Sequence, residues 1–82
     1  MDFIRIGFNN LVGKDRIIAV VSPEAAPVKR MVQDAKDRGA LIDATAGRKT
    51  KAVIVMDSDH IVLSALEIEE LTEELNKQKE SE

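Results

Sequence analysis

The stretch KAVIVMDSDHIVLSA, residues 51–65, decides the fold of this chain. Residues 51–56 are apolar on both alternating faces after the initial lysine, which predicts a strand in the middle of a sheet. Residues 57–59, Asp-Ser-Asp, have turn chemistry, and residues 60–65, His-Ile-Val-Leu-Ser-Ala, supply a second strand that would pair with the first. The stretch therefore predicts a hairpin built around a central strand.

Three further strands are predicted upstream of this hairpin. Residues 3–8 alternate large apolar side chains with others and lead into two asparagines, which predicts a half-buried strand followed by a turn. Residues 16–21 contain a continuous apolar run rich in β-branched residues, which suits a strand covered on both faces. Residues 40–44 predict a short strand.

Apolar residues at helical spacing predict two helices. The first begins near residues 25–27, because Pro27 deep inside a helix would delete a backbone hydrogen bond, and Gly39 follows its last turn. The second covers residues 67–79 and leads into a charged tail. The stripe of the first helix consists of Val28, Met31, Val32 and Ala35, and that of the second of Ile68, Leu71 and Leu75.

The element order predicts an α+β fold with a small, mostly antiparallel sheet, one central helix and a C-terminal amphipathic helix. We expect a single domain in which residues 1–66 form the α+β core and residues 67–82 an acidic helix and tail. The stripe of the second helix has two possible partners, the chain's own sheet or a neighbouring subunit.

Composition narrows the class of protein. The chain has 82 residues, no cysteine, and 44% hydrophobic but only 2% aromatic residues, so an aliphatic core must form without disulfides or thiolate metal sites. Such a small core favours association between copies. No apolar run approaches a membrane span and no signal-peptide pattern is present, so we expect a soluble, cytoplasmic protein.

The charges are distributed unevenly. Residues 1–66 hold ten Lys and Arg against eight Asp and Glu, whereas residues 67–82 hold two against seven, and the whole chain carries −3. Arg48, Lys49 and Lys51 lie together beside Gly47, which lets the backbone approach a phosphate closely. From charge alone, both phosphate contact and simple solubilisation of a sheet edge stay open.

Catalysis has little support in the sequence. His60 stands close to Asp57 and Asp59, residue types that can hold a divalent metal or support acid–base chemistry, but successive turn residues point in different directions. Glycine-rich phosphate loops, HExxH motifs and nucleophile elbows are absent from the sequence. We therefore expect no enzyme, no metal, no cofactor and no small-molecule substrate.

The segments IGFNNLV (6–12), RIIAVVSPEAAPVKRMVQDAKDRG (16–39) and LIDATAGRKTKAVIVMDSDHIVLSA (41–65) resemble the RemA family of bacterial extracellular matrix regulators. The resemblance implies a DNA-binding transcriptional regulator of biofilm-matrix genes. It also implies a ring-like homo-oligomer whose repeated basic surfaces engage double-stranded DNA.

Specific residues follow from the resemblance. The family's DNA-contacting arginines fall on Arg16, Arg48 and Lys49, and Lys51 also replaces a family arginine. Lysine keeps the charge but loses the bidentate fork, which favours phosphate contact over base recognition. The resemblance is silent on residues 67–82, which either modulate DNA binding or keep an oligomer soluble.

Two classes of function remain. One is the DNA-binding regulator, which we expect in the cytoplasm on the nucleoid and away from membranes. The other is an oligomeric scaffold or RNA-binding module that keeps the fold without sequence-specific regulation. Salt-dependent, sequence-selective binding to double-stranded DNA would separate them.

Overall fold

The computed structural model describes residues 2–80, and the last two residues of the predicted charged tail lie outside this range. The α+β class is confirmed. The strands and α-helices are β1 (Phe3–Gly7), β2 (Asn10–Gly13), β3 (Ile17–Val21), α1 (Ala26–Arg38), β4 (Leu41–Asp43), β5 (Ala52–Met56), β6 (Ile61–Ser64) and α2 (Ile68–Glu80), and a short 3-10 helix, Lys14–Arg16, joins β2 to β3.

A four-stranded sheet in the order β3-β5-β6-β4 forms the centre of the protein. Strand β5 pairs antiparallel with β3 on one side and with β6 on the other, so the predicted central strand is confirmed. The predicted hairpin is confirmed too, with Asp59 in the left-handed region at φ 68° in its turn. Strand β4 pairs parallel with β6, so the sheet is mixed.

Strand β2 was not predicted. It pairs antiparallel with β1 to form a separate two-stranded sheet, whose turn consists of Phe8 and Asn9. Both turn residues have positive φ, which is the backbone pattern of a tight hairpin turn.

Helix α1 covers one face of the four-stranded sheet. Its apolar stripe packs on Val53 and Ile61, and the side chains on its opposite side are exposed. The backbone of Ala25 is extended immediately before the helix, and Gly39 ends it at φ 73°. The predicted start near residues 25–27 and the glycine stop are therefore confirmed.

The β1–β2 hairpin and α2 cover the other face of the sheet. Leu71, only 1% exposed, packs with Ile4, Ile6 and Ile54 in one cluster. The buried Ser64 hydroxyl donates to the carbonyl of Ile6 at 2.8 Å and ties β1 to β6. The apolar stripe of α2 thus packs on its own chain.

The predicted environment of β3 is wrong for the single chain. Strand β3 lies at the edge of the sheet, and its pairing with β5 shifts between Ile17 and Ala19. Ile18 lies in this bulge and is 65% exposed, so one chain leaves β3 partly uncovered.

Candidate nucleic-acid interface

The loop between β4 and β5 has a defined conformation fixed by Asp43 and Thr45. The Asp43 carboxylate accepts hydrogen bonds from the Thr45 hydroxyl at 2.6 Å and from the Thr45 backbone N–H at 2.9 Å. The Thr45 carbonyl in turn accepts from the backbone N–H of Arg48 at 3.0 Å. Ala46 and Gly47 complete the turn at φ 54° and 80°. The basic residues therefore follow a tight turn.

Hydrogen bonding also changes the acidity of Asp43. The Thr45 hydroxyl, and secondly the Thr45 backbone N–H, stabilise the carboxylate and lower the pKa of Asp43 below its usual value. The loop is thus held by an ionised carboxylate at neutral pH.

Arg48 lies over an aromatic ring from a distant part of the chain. Its guanidinium carbon is 5.5 Å from the ring centroid of Phe8, at the tip of the β1–β2 hairpin, which is within cation–π range. Phe8, Arg48, Lys49 and Lys51 line one open hollow of about 370 Å³ with Ala65 and Leu66. Three of the four predicted site residues, Arg48, Lys49 and Lys51, are therefore brought together, and we call them the basic cluster.

Glu67, the residue immediately before α2, reaches the same cluster. Lys51 Nζ lies 3.3 Å from Glu67 Oε1, and both side chains are about half exposed. Lys49 and Lys51 also line a second groove of about 360 Å³, which Glu67 and Glu69 line as well. One cation of the cluster thus already has an internal counter-ion.

Arg16, the fourth predicted residue, lies elsewhere. Its guanidinium pairs with Asp57 at 3.2 Å, and Asp57 follows the end of β5 whereas Lys51 precedes its start. The extended chain between Lys51 and Asp57 spans about 20 Å. One copy of the chain therefore presents two separate basic positions.

The group around His60 is a hydrogen-bonded surface turn. The Ser58 hydroxyl and His60 Nδ1 are 2.8 Å apart, Asp57 pairs with Arg16, and the carbonyl of Asp59 accepts from Arg38 at 3.3 Å. Among the described residues, no three His, Cys, Asp or Glu side chains are arranged to hold a metal ion. Nor is any described helix long and apolar enough to cross a membrane.

Two contacts of the basic cluster could not be predicted from the sequence. The Phe8–Arg48 contact joins residues 40 positions apart, and the Lys51–Glu67 ion pair depends on where α2 begins. The only local signal for the first was a phenylalanine followed by two asparagines in a turn.

Comparison with known proteins first gives a class, that of bacterial regulatory proteins. The Extracellular matrix regulatory protein A of Bacillus subtilis (strain 168) is 58% identical over 77 residues, covering 94% of this chain and 86% of its own length. A protein of Carboxydothermus hydrogenoformans, provisionally named as a regulatory protein, is 55% identical over 80 residues, covering 98% of this chain and 92% of its own length. These names describe regulators rather than enzymes.

The chain belongs to the RemA-like family, whose model is described as Extracellular matrix regulatory protein A-like and matches residues 3–75. The resemblance stated from the sequence is thereby confirmed, and the match extends into α2. The family is one of regulatory proteins of matrix genes.

Proposed function

We propose that this protein is a DNA-binding transcriptional regulator of matrix or biofilm-type genes, which acts in the cytoplasm on the nucleoid. Its homo-oligomer, ring-like in outline, would present repeated basic surfaces to double-stranded DNA. The observation that carries the proposal is the cluster of Arg48, Lys49 and Lys51 on a constrained, exposed loop, in a chain whose net charge is −3.

The geometry of the loop suits a phosphate backbone. Arg48 and Lys49 follow a turn whose conformation is fixed by hydrogen bonds, so little freedom is lost when they meet phosphate. Gly47 has open space where a Cβ would lie, which leaves its backbone accessible to a ligand. These features support contact with the sugar–phosphate backbone rather than base-edge reading.

Assembly of several copies would raise the affinity for DNA above that of the weak site on a single copy. A single copy with only a few phosphate contacts binds DNA weakly at physiological salt, whereas copies held in one particle bind with a high effective concentration. Arg16, about 20 Å from the loop along β5, would add a second contact for each copy. A duplex following the surface of the oligomer would meet both positions repeatedly.

The test is a salt-dependent binding measurement on the intact protein. Fluorescence anisotropy with a matrix-gene promoter duplex, and with a scrambled duplex of equal composition, is recorded from about 50 to 200 mM salt. We expect affinity to fall steeply with salt and the promoter to bind more tightly. Binding that is absent, or equal for both duplexes, would contradict a sequence-selective regulator.

The same measurement covers the alternative of a scaffold or RNA-binding module. A single-stranded RNA and an RNA duplex serve as competitors at matched charge. Preference for either RNA over the promoter duplex would favour the RNA-binding module, and failure to bind any of the nucleic acids would favour the scaffold.

A further inference from the structure

An exposed phenylalanine stands at the edge of the basic cluster. The chain has only two phenylalanines, and Phe8 is 48% exposed at the turn of the β1–β2 hairpin instead of lying in the aliphatic core. A half-exposed aromatic ring contributes less hydrophobic stabilisation to the fold than a buried ring would. Phe3 is exposed to the same degree, so what distinguishes Phe8 is its place beside the basic residues.

The backbone under Phe8 is held in an unusual conformation. Phe8 and Asn9 have φ of 53° and 63°, a region that bulky side chains rarely occupy and that such turns normally fill with Asn, Asp or Gly. The Asn10 side chain donates to the carbonyls of Gly7 at 3.0 Å and of Phe8 at 3.3 Å. The side-chain hydrogen bonds of Asn10 therefore stabilise the turn that presents the Phe8 ring.

Phe8 lines two hollows that cations also line. The hollow of about 370 Å³ is shared with Arg48, Lys49 and Lys51. A hollow of about 430 Å³ is shared with Arg5. Phosphates held by these cations would bring a nucleic-acid groove against the ring.

We propose that Phe8 is an apolar wedge that inserts at a base step of bound duplex DNA, partly unstacks it and bends the duplex. The inference rests on the proposed DNA-binding function and adds a residue that touches bases. Apolar side chains at the tip of a rigid element, flanked by cations, act in this way in minor-groove binders.

The wedge would supply selectivity that the lysines lack. Lys49 and Lys51 act as point charges without the planar fork that reads guanine. Pyrimidine–purine steps unstack at lower cost than others, so a wedge favours DNA that contains them at the right spacing. Selectivity would then come from deformability of the DNA.

The experiment compares Phe8→Ala, Phe8→Leu and, as matched control, Phe3→Ala, each in the full chain with fold and particle mass checked by circular dichroism and light scattering. Phe3 is the other phenylalanine and is 50% exposed, but it starts β1, at the end opposite the hairpin turn. The probe is a promoter duplex of about 30 base pairs carrying end-labelled dyes for bending and 2-aminopurine at a TA step.

For the parent protein we expect shortened dye separation and a rise in 2-aminopurine fluorescence. Phe8→Ala should lose both signals and bind roughly tenfold more weakly, with an unchanged salt slope because every cation remains and the turn still holds the backbone of Arg48. Phe8→Leu should retain most of the bending, since leucine is still an apolar wedge. Phe3→Ala should behave like the parent.

Other results overturn the inference. If Phe8→Ala bends and unstacks DNA like the parent, Phe8 is no wedge, although DNA binding stands. If Phe8→Leu loses as much as Phe8→Ala, the ring acts only by orienting Arg48 through its π face. A parent protein that binds no duplex would overturn the proposed function itself.

Discussion

At the scale of single residues, Arg48 is distinguished from the other cations of the basic cluster by what holds it. Its backbone is tied to Thr45 and its guanidinium lies over Phe8, so the charge is placed at the surface by a turn and a ring. Arg16 and Lys51, in contrast, pair with Asp57 and Glu67. Exposed ion pairs of this kind contribute little to stability and can be exchanged for phosphate.

Replacing Arg48, Lys49 or Arg16 by alanine should weaken DNA binding and leave fold and assembly intact, because all three side chains are exposed. Every phosphate interaction that a variant removes should reduce the slope of log affinity against log salt by about 0.9, repeated for every copy that touches the duplex. Anisotropy at several salt concentrations measures this slope.

The control for these variants is Arg30→Ala, which removes the same charge from the exposed side of α1. If Arg48→Ala and Arg30→Ala change the slope equally, net charge rather than the loop governs binding. If neither changes it, the basic loop merely solubilises the surface.

Asp43 makes a prediction about stability and pH. Asp43→Ala should destabilise the fold by about 1–3 kcal/mol, because it leaves the hydroxyl of Thr45, a residue only 2% exposed, without its acceptor. Urea denaturation measures the decrease in stability, and Asp43→Asn, which keeps an acceptor oxygen, should be affected less. Equal stability of Asp43→Ala and the parent would show that the turn does not depend on this carboxylate.

The lowered pKa of Asp43 sets the direction of its pH dependence. A carboxylate whose pKa is lower in the folded state stabilises the fold fully above its unfolded pKa, and this contribution disappears as pH falls through the folded pKa. The difference in stability between the parent and Asp43→Asn should therefore be largest near neutral pH and shrink in acid. A difference that grows in acid would contradict this linkage.

At the scale of elements, the sequence predicted the strands and helices that have a periodic apolar pattern. It missed the features that form only through contact with other parts of the fold. Strand β5 and helix α1 have strong periodic signals and lie where expected. Strand β2 has only four residues, Asn-Leu-Val-Gly, too few for alternation to show, and it forms because β1 offers a pairing edge. The bulge that exposes Ile18 also has no local signal in an unbroken apolar run.

The basic loop was recognisable from the sequence, but its surroundings were not. Three neighbouring cations beside a glycine are evident from the amino-acid sequence alone. Phe8 and Glu67 join them only through the packing of the β1–β2 hairpin and α2 on one face of the sheet. The separation of Arg16 from the loop likewise depends on β5 running between them.

The entry to α2 supplies a prediction because Glu67, immediately before the helix, contacts Lys51 of the basic loop. Glu67→Gln should release Lys51 from its counter-ion and tighten DNA binding at low salt, and the gain should fade as salt rises. The matched control is Glu73→Gln, which removes the same charge from an exposed position farther along α2. Equal effects of the two variants would indicate general charge rather than the Lys51 contact.

The rest of the acidic helix can be tested as a group. Exchanging Glu69, Glu70, Glu73 and Glu74 for glutamine keeps helix propensity and the apolar stripe. The Glu70 carboxylate accepts from the backbone N–H of Glu67 at 2.9 Å, and a glutamine oxygen can still do so. Tighter binding at low salt would assign these acids a modulating role, and equal affinity at every salt concentration a role in solubility or assembly alone.

At the scale of the whole molecule, one chain leaves apolar surface at both edges of its sheet. Ile18 on β3 and Ile42 on β4 are large exposed aliphatic side chains, and each lies on an edge strand. Edge strands carry unpaired backbone groups that invite association unless they are protected. Two such edges on one small chain suit head-to-tail contacts, which close into a ring when the rotation permits.

The last prediction is therefore a homo-oligomer that depends on Ile18. Light scattering should give a mass several times the 9.0 kDa of one chain. Ile18→Lys should lower that mass without changing circular dichroism, because the side chain lies outside the core, and Gln33→Lys adds the same charge on exposed α1 as a control. Disrupted assembly should also weaken DNA binding more than removal of any one cation, since the repeated sites no longer act together. A monomeric parent across micromolar concentrations would contradict the oligomer, whereas an Ile18→Lys particle of unchanged mass would place the contact elsewhere.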